Sequence, residues 1–365
     1  MAKNFLDFLI KEWLLIVSFL GVVFTSLYLG RFPKWEVKEL VSIFLLFALF
    51  VVIKGIENSF FLLRAAYVLE RGRYLSLKLV FVTFLLSMIV TIDVSLVTMM
   101  PVVLSLNVKN RENLAILVAL TAHVGAALTP FGTPQNLFIY SYYGVDTYEF
   151  IKTIAPFSFL MLLFFSLVAV FMNKGEEKGK SVKKRVYKKK AAVYLLLLFM
   201  VVLAVLRVLP PASALFAIGY ASIFDRKSLR VDYPLLFTFV MFIGLTSNIK
   251  EMISGFVHHP GHIFLLSSLM SQFISNVPTT LLLNKFTTDW QALLWGTNVG
   301  GFGSLIAALA NLITYKLFIS YGDKKRVASF TFKFVFAGYV SFAVGALIYF
   351  CLFVKDGGGS VCLSF

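Results

Sequence analysis

The chain has 365 residues, of which 59% are hydrophobic and only 14% charged, and its mean hydropathy is +0.87. This composition predicts an all-α polytopic membrane protein and excludes an ordinary soluble domain. The formal net charge of +16 does not indicate a nucleic-acid partner, because the basic residues fall in short loops between apolar spans, as the positive-inside rule predicts.

The first half of the chain predicts spans of uneven length. Residues 13–30 are uncharged and no small-residue cleavage site follows them, so we interpret them as a retained span and not as a signal peptide. Residues 40–53 predict a second span, 59–69 an interfacial helix, and 79–106 a re-entrant hairpin with Asp93 at its tip. A broken span over 114–140 and a closing span over 154–172 follow. We divide this half into an N-terminal span, 1–36, and a first repeat, 37–172.

A basic linker, 173–190, separates the halves, with nine Lys or Arg against two Glu. The positive-inside rule places it in the cytoplasm, and counting spans back from it places the N-terminus there too. Connecting helices over 191–230 include a segment, 212–224, that is short for a crossing. The second repeat, 231–354, holds spans over 233–249, 290–318 and 327–354 and a hairpin over 263–283, before a tail at 355–365. We therefore expect a multi-pass protein of the inner or plasma membrane whose two hairpins enter from opposite sides, as in an inverted repeat.

The most informative stretch is TAHVGAALTPFGTPQNLFIY, residues 121–140. It lies in an apolar span, yet it contains Pro130, Gly132 and Pro134 among several polar residues. An unpaired backbone group in hydrocarbon costs several kcal/mol, so a helix breaks at this depth only where protein or a watery cavity satisfies the freed groups. The pattern therefore predicts a binding site.

The break occurs twice. Aligning Asn136 with Asn311 makes five of eighteen positions identical between HVGAALTPFGTPQNLFIY and NVGGFGSLIAALANLITY. The upstream hairpins correspond when Asp93, in TIDVS, is matched with Asn276, in ISNVP. Interrupted segments at corresponding places in two halves indicate the binding site of a secondary transporter. We predict an inverted-repeat transporter with two re-entrant hairpins and two broken transmembrane helices.

Polar residues at these four breaks are the candidate substrate-binding and ion-binding residues. They are Asp93, Ser95, Thr129, Gly132, Thr133, Gln135, Asn136, Ser275, Asn276, Thr279, Thr280, Ser304 and Asn311. An intramembrane carboxylate usually faces a site, so we expect the coupling ion, Na+ or H+, at Asp93, with Na+ held near Asp93, Asn136 and Asn276. The amides suit ion or oxyanion coordination, but they and the hydroxyls can equally satisfy broken-helix backbone. His123 is either a proton relay with Asp93 or a hydrogen-bonded packing residue.

Three segments, TPFGTPQNLFIYS, ISNVPTTLLL and NVGGFGSLIAALANLITYKL, resemble the signature segments of an ion transporter superfamily. That superfamily contains arsenite permeases, citrate transporters, divalent anion/sodium symporters and certain sodium/proton antiporters. The resemblance implies a homodimer with a scaffold part and a transport part that moves like an elevator. The chain departs from the anion symporters at Asp93, where they have Asn, and at Ala308 and Leu309, where they have Thr and Pro. These departures disfavour a dicarboxylate substrate.

We therefore predict a secondary active transporter that moves a small anion or oxyacid, coupled to Na+ or H+. The alternatives are a Na+/H+ antiporter on the same scaffold and an arsenite efflux permease, although both cysteines, Cys351 and Cys362, lie far from the breaks. An enzyme is not expected, because no HExxH, paired acid/base or Ser/His/Asp pattern occurs. The two cysteines offer no disulfide framework or thiolate metal site, and no cofactor is expected.

Overall fold

The computed structural model describes residues 12–68, 74–106, 110–172, 187–252, 260–321 and 326–353. These residues form α-helices and short 3-10 turns, which confirms the predicted all-α architecture. The predicted linker, apart from its last residues, and the predicted tail at 355–365 lie outside the described part of the chain.

The first half contains eight helices in its described part. They are α1 (Trp13–Leu29), α2 (Val37–Ser59), α3 (Phe61–Val68), α4 (Leu75–Ile89), α5 (Ile92–Ser105), α6 (Arg111–Ala127), α7 (Pro134–Tyr143) and α8 (Thr147–Met172). The second half contains a further eight in its described part. They are α9 (Lys188–Val205), α10 (Leu215–Phe224), α11 (Tyr233–Met252), α12 (Pro260–Ile274), α13 (Asn276–Leu283), α14 (Trp290–Gly300), α15 (Leu309–Tyr321) and α16 (Val327–Phe353).

Four helical segments among the described residues are long and apolar enough to cross a bilayer: α2, α8, α16 and Arg226–Met252, which contains α11. A crossing helix needs about 20 residues. The segments predicted at 40–53 and 154–172 are shorter than α2 and α8, because both helices continue through charged residues near their ends. The chain is an integral, multi-pass membrane protein.

The first predicted hairpin is present, but its break lies earlier than predicted. α4 ends at Ile89 and α5 begins at Ile92, so Asp93 lies in the first turn of α5 and not at the break itself. The Ser95 hydroxyl donates to the carbonyl of Thr83 at 3.4 Å. Twelve residues of straight helix would separate these two groups by about 18 Å, so the chain folds back here.

The segment 212–224, which is short for a crossing, leads the chain back to the start of α9. A 3-10 turn, Pro211–Ala214, leads into α10, and Asp225 at the end of α10 pairs with Lys190 at 2.6 Å. Burial alone would raise the pKa of Asp225, but hydrogen bonds from Lys190, Ser228 and Tyr194 outweigh it and hold that pKa below its usual value. Because Lys190 lies in the first turn of α9, this segment runs antiparallel to α9 and spans the same part of the bundle.

The two broken helices run antiparallel to each other. The Tyr143 hydroxyl, at the end of α7, lies within hydrogen-bonding distance of the carbonyls of Asn284 at 2.9 Å and Thr287 at 3.0 Å, and its proton is donated to one of them. Thr287 lies three residues before α14 begins. The second broken helix therefore starts where the first one ends, as an inverted repeat requires.

Apolar packing forms one large cluster and one smaller cluster. The smaller cluster joins α2 and α11 to α7 and α13. It contains Leu46, Phe138, Leu236, Phe239, Phe242, Ile243, Val277 and Leu281. The side chains of this cluster are apolar, so within it α7 and α13 contact α2 and α11 without directional bonds.

Candidate functional site

Each hairpin is tied to a broken helix by a backbone bond at its tip. The amide of Ile92 donates to the carbonyl of Gly132 at 3.1 Å, and the amide of Asn276 donates to the carbonyl of Ala307 at 2.9 Å. Gly132 and Ala307 correspond in the predicted alignment of the broken helices. The hairpin alignment, however, was wrong by one residue, because Asn276 corresponds to Ile92 and not to Asp93.

Hydroxyl groups repeat the same pattern next to the tips. Thr129 Oγ1 donates to the carbonyl of Met88 at 3.1 Å, and Ser304 Oγ donates to the carbonyl of Gln272 at 2.9 Å. The two hydroxyls are equivalent in the repeat, and so are the two carbonyls. Both predicted residues thus satisfy carbonyls that the hairpin breaks would otherwise leave unpaired.

Two asparagines close the broken helices from within. Asn311 Nδ2 donates to the carbonyls of Gly301 at 3.0 Å and Ser304 at 2.9 Å. Asn136 Nδ2 donates to the carbonyls of Ala127 at 2.9 Å and Thr129 at 3.2 Å. Each amide nitrogen spans the gap in its own helix, which is why an asparagine is found at both positions.

The remaining oxygen of each asparagine is bonded by the other repeat. Asn298 Nδ2 donates to Asn136 Oδ1 at 2.9 Å, and His123 Nε2 lies 2.9 Å from Asn311 Oδ1. His123 and Asn298 are equivalent positions in the two halves. Contacts that exchange equivalent residues in this way are the signature of a two-fold axis, so the breaks face each other across one.

Small residues let the hairpins approach the broken helices closely. A methyl group at Gly125 would lie 2.3 Å from the carbonyl oxygen of Phe84, and one at its equivalent, Gly300, would lie 2.8 Å from Ser271. At Gly132 a methyl would lie 2.1 Å from the carbonyl oxygen of Ala126. None of these positions has room for a Cβ atom. Glycine at 125 and 300 fixes the packing of each hairpin on its helix, whereas Gly132 packs against α6 of its own broken helix.

A cavity of about 170 Å³ lies between the two hairpin tips. Of the predicted site residues, six line it: Asp93, His123, Thr133, Gln135, Ser275 and Asn276. The other charged groups that line it are Glu12, Asp232 and Lys316. The cavity reaches the end of the bundle at which α1 and α11 begin, which is also the end at which the basic linker joins α9.

The other eight predicted residues lie around the cavity and do not line it. Ser95, Thr129, Gly132, Asn136, Ser304 and Asn311 make the bonds described above. The hydroxyls of Thr279 and Thr280 donate back to the carbonyls of Ser275 and Asn276 at 2.8 and 2.9 Å. Of the two readings that the sequence left open, these contacts match the one in which such side chains satisfy broken-helix backbone.

Ser275 forms the break of the second hairpin with a φ of 74°. A residue with a side chain seldom adopts this left-handed conformation. Such strain persists only where the surroundings enforce it, and it is often found at functional sites. Here it turns the amide of Asn276 toward Ala307 and leaves the Asn276 side chain in the cavity.

Sequence reasoning missed two residues of this arrangement. Asn298 is aligned with His123 in the two broken helices but was not among the candidate residues, and Gln272 was not considered. Gln272 Nε2 donates to the carbonyls of Gly300 at 2.8 Å and Phe302 at 3.1 Å, while its Oε1 accepts from the amide of Ser304 at 3.0 Å. A long amide three residues before the hairpin break, in an arm whose neighbouring polar residues are small serines, was the signal that could have identified it.

The opposite end of the bundle is closed by buried charges. Lys285, at the end of α13, lies 2.9 Å from Glu39 on α2, and these side chains are 5% and 0% exposed. Lys38 lies 4.0 Å over the ring of Tyr142 on α7. α2 is thus also held to α7 and α13, its partners in the smaller apolar cluster, by contacts of charged side chains at this end.

Arg207 adds a further contact at the closed end. It follows α9 and donates to the carbonyls of Tyr140 at 2.7 Å and Val145 at 3.2 Å, at the end of α7. A cation at a helix C-terminus is stabilised by the helix dipole and by the unpaired carbonyls there. Among the described residues, these contacts close the end of the bundle opposite to the one that the cavity reaches.

Comparison with known proteins gives a consistent picture. The family model described as citrate transporter matches residues 9–296. An uncharacterized transporter of Methanocaldococcus jannaschii is 32% identical over 317 residues, which cover 83% of this chain and 89% of that protein. The inner membrane protein YbiR of Escherichia coli is 33% identical over 295 residues, which cover 76% of this chain and 79% of that protein.

Proposed function

The chain belongs to the citrate transporter family and is a membrane transporter, and we propose that it is a secondary active transporter of a small anion or oxyacid coupled to Na+ or H+. The observation that carries the proposal is the cavity between two hairpin tips that a two-fold axis relates. Secondary transporters place their sites at the interface of such repeats, where broken helices free backbone groups for the solute.

Asp93 is the proposed coupling residue. It lies in the first turn of α5 and lines the cavity beside the tip of the first hairpin. A carboxylate there repels an anion, so it must take up H+ or Na+ before an anion can bind nearby. Asn276, which lines the same cavity from the second hairpin, supplies an amide that can bind an ion or an oxyanion.

The charge contacts suggest which state the structure represents. If the basic linker is cytoplasmic, as the positive-inside rule predicts, the N-terminus is cytoplasmic and the cavity is open to the cytoplasm. Lys285, Glu39 and Arg207 then close the outer side. We propose that the outward-facing state requires these contacts to break.

The smaller apolar cluster supports an elevator-type movement. It joins α2 and α11, which would belong to the scaffold, to α7 and α13 in the transport part. A contact without directional bonds can slide at low cost. We propose that the hairpins and broken helices move as one body against this scaffold, and that the scaffold forms the homodimer contact.

Uptake into proteoliposomes tests the function. Radiolabelled citrate, with the protein reconstituted in a Na+ gradient, a pH gradient or neither, should accumulate only with one of the gradients. Asp93→Asn should abolish gradient-driven accumulation, whereas Asp146→Asn, at an exposed helix start outside the cavity, should leave it unchanged. Full gradient-driven accumulation by Asp93→Asn would remove Asp93 from the mechanism.

A Na+/H+ antiporter is the second candidate function. The charged groups that line the cavity include three carboxylates, Glu12, Asp93 and Asp232, against one amine, Lys316. This balance favours a cation over an anion. A pH-sensitive dye inside proteoliposomes distinguishes the candidates, since an antiporter should move H+ when Na+ alone is added and should not respond to anions.

A further inference from the structure

Two carboxylates face the cavity from parts of the protein that the proposed elevator moves apart. Asp93 lies in the first turn of α5, beside the tip of the first hairpin, and Asp232 directly precedes α11. Both line the cavity, and Asp232 lies close enough to Asp93 to act on it electrostatically. In the proposed movement the hairpin travels and α11 does not. The two side chains are therefore neighbours only while the cavity is open at the end where α1 and α11 begin.

The protein neutralises neither of these carboxylates. Among the described residues, no hydrogen bond or ion pair reaches the Asp93 side chain. Asp232 Oδ1 accepts from the backbone amide of Leu235 at 3.1 Å, and no described cation forms an ion pair with that carboxylate. Three other carboxylates with little exposure are paired with cations, namely Glu39 with Lys285, Glu112 with Lys333 and Asp225 with Lys190. Two uncompensated negative charges in one cavity repel each other.

A buried amide in the same cavity also lacks a partner. The Gln135 side chain lines the cavity and is only 2% exposed. Its amide makes no hydrogen bond to any described residue. A buried polar group that the rest of the protein leaves unpaired requires another partner, and an amide offers an oxygen to a cation and an NH2 group to an anion. Gln135 therefore supports a bound ion in the cavity, independently of the two carboxylates.

We propose that Asp232 strengthens cation binding at Asp93 only in the state in which the cavity is open at this end of the bundle. Without a bound cation, repulsion between the two carboxylates disfavours this state and favours return of the empty transport part. By linkage, the same repulsion makes the coupling cation bind more tightly here than in the opposite state. The inference rests on the proposed function and adds a regulation of its coupling site. The other titratable groups that line the cavity are Glu12, His123 and Lys316.

Asp232→Asn removes the charge and keeps the local structure. Its side-chain oxygen can still accept from the amide of Leu235, and asparagine caps a helix about as well as aspartate does. Asp146→Asn is the matched control, because Asp146 also accepts from a backbone amide, that of Tyr148 at 2.8 Å, but lies outside the cavity. Both variants should keep the melting temperature of the unliganded protein within a few degrees.

Cation binding is measured by the rise in melting temperature of the purified protein as Na+ replaces choline at constant ionic strength, or as the pH is lowered without Na+. At an ionic strength of about 0.1 M, Asp232→Asn should need roughly two- to tenfold more cation for half-maximal stabilisation, a modest factor because Asp232 is exposed. At about 1 M the difference should nearly disappear, because salt screens the repulsion. Asp146→Asn should match wild type at both ionic strengths.

Transport from each side gives a second measurement. In proteoliposomes with the protein in one orientation, citrate flux is recorded as the cation concentration is varied on either side of the membrane. Asp232→Asn should raise the half-saturating cation concentration on the side to which the cavity opens and leave that on the opposite side unchanged. A purely structural effect of the substitution would alter both sides.

The outcomes separate the inference from the function. A shift in Asp232→Asn that shrinks at high salt and is absent when Asp93→Asn is also present supports the inference. No shift, a shift that salt does not change, or the same shift with Asp93→Asn present refutes the role of Asp232 and leaves the transport function intact. If no cation stabilises wild type, or if Asp93→Asn keeps the stabilisation and the gradient-driven accumulation, the proposed coupling at Asp93 fails and the inference fails with it.

Discussion

Replacing Asn136 or Asn311 by leucine should destabilise the protein to nearly the same degree. Each asparagine is buried, at 0% and 1% exposed, and each satisfies two carbonyls of a broken helix and one side chain of the other repeat. Leaving a buried group unpaired costs roughly 1–3 kcal/mol, but bonds in membrane bundles average nearer to about 0.6 kcal/mol. Three lost partners therefore predict a loss of unfolding free energy between about 2 and about 9 kcal/mol.

Asn284 provides the matched control. It is buried, at 2% exposed, but its side-chain amide has no hydrogen-bond partner among the described residues. Asn284→Leu should therefore be neutral or stabilising, because it removes an unsatisfied polar group from the interior. Unfolding free energies from denaturant titration in mixed micelles measure all three variants. If leucine at 136 or 311 lowers the free energy of unfolding no more than leucine at 284 does, the reasoning is refuted. A large difference in unfolding free energy between the variants at 136 and 311 would refute it as well.

Gly132→Ala should prevent normal folding, because its methyl group would lie 2.1 Å from a carbonyl oxygen. Gly219→Ala, whose methyl group would meet nothing within 4 Å, should instead stabilise α10 by up to about 1 kcal/mol. The yield of monodisperse protein and its melting temperature in detergent check both variants, and equal yields would contradict this. Lys285→Met should lower the free energy of unfolding by roughly 3–5 kcal/mol, because it leaves the buried carboxylate of Glu39 unpaired. Adding Glu39→Met should recover most of that loss. Additive losses in a double-mutant cycle would show that the two side chains are not coupled. Asp225→Asn should lower the melting temperature at neutral pH. The pKa of Asp225 is lowered in the folded state, so its contribution to stability is present above the unfolded pKa of about 4 and is lost as pH falls through the folded pKa. The difference in melting temperature between wild type and Asp225→Asn should therefore disappear on acidification. A difference that does not change with pH would contradict the lowered pKa.

Helix breakers and their repetition were read correctly from the sequence, whereas the spans over 40–53 and 154–172 were predicted too short. Pro130, Gly132 and Pro134 mark the gap between α6 and α7 because their effect on the backbone is local. The shift between Asn136 and Asn311 was also correct, since each donates to the carbonyl of the residue seven positions before it. The alignment of the two hairpins was wrong by one residue, because it matched the polar side chains of Asp93 and Asn276. The bonds at the tips are made by backbone amides, which the sequence pattern does not reveal.

The sequence by itself determined the all-α membrane architecture, the two pairs of breaks and the polar residues around them, because hydropathy and helix propensity depend on neighbouring residues. Only the tertiary structure decided which of those residues line the cavity and which hold the backbone together. It also revealed the reciprocal pairs, Asn298 with Asn136 and His123 with Asn311. These contacts join residues more than 160 positions apart, and they exist only because the two repeats fold face to face across a two-fold axis.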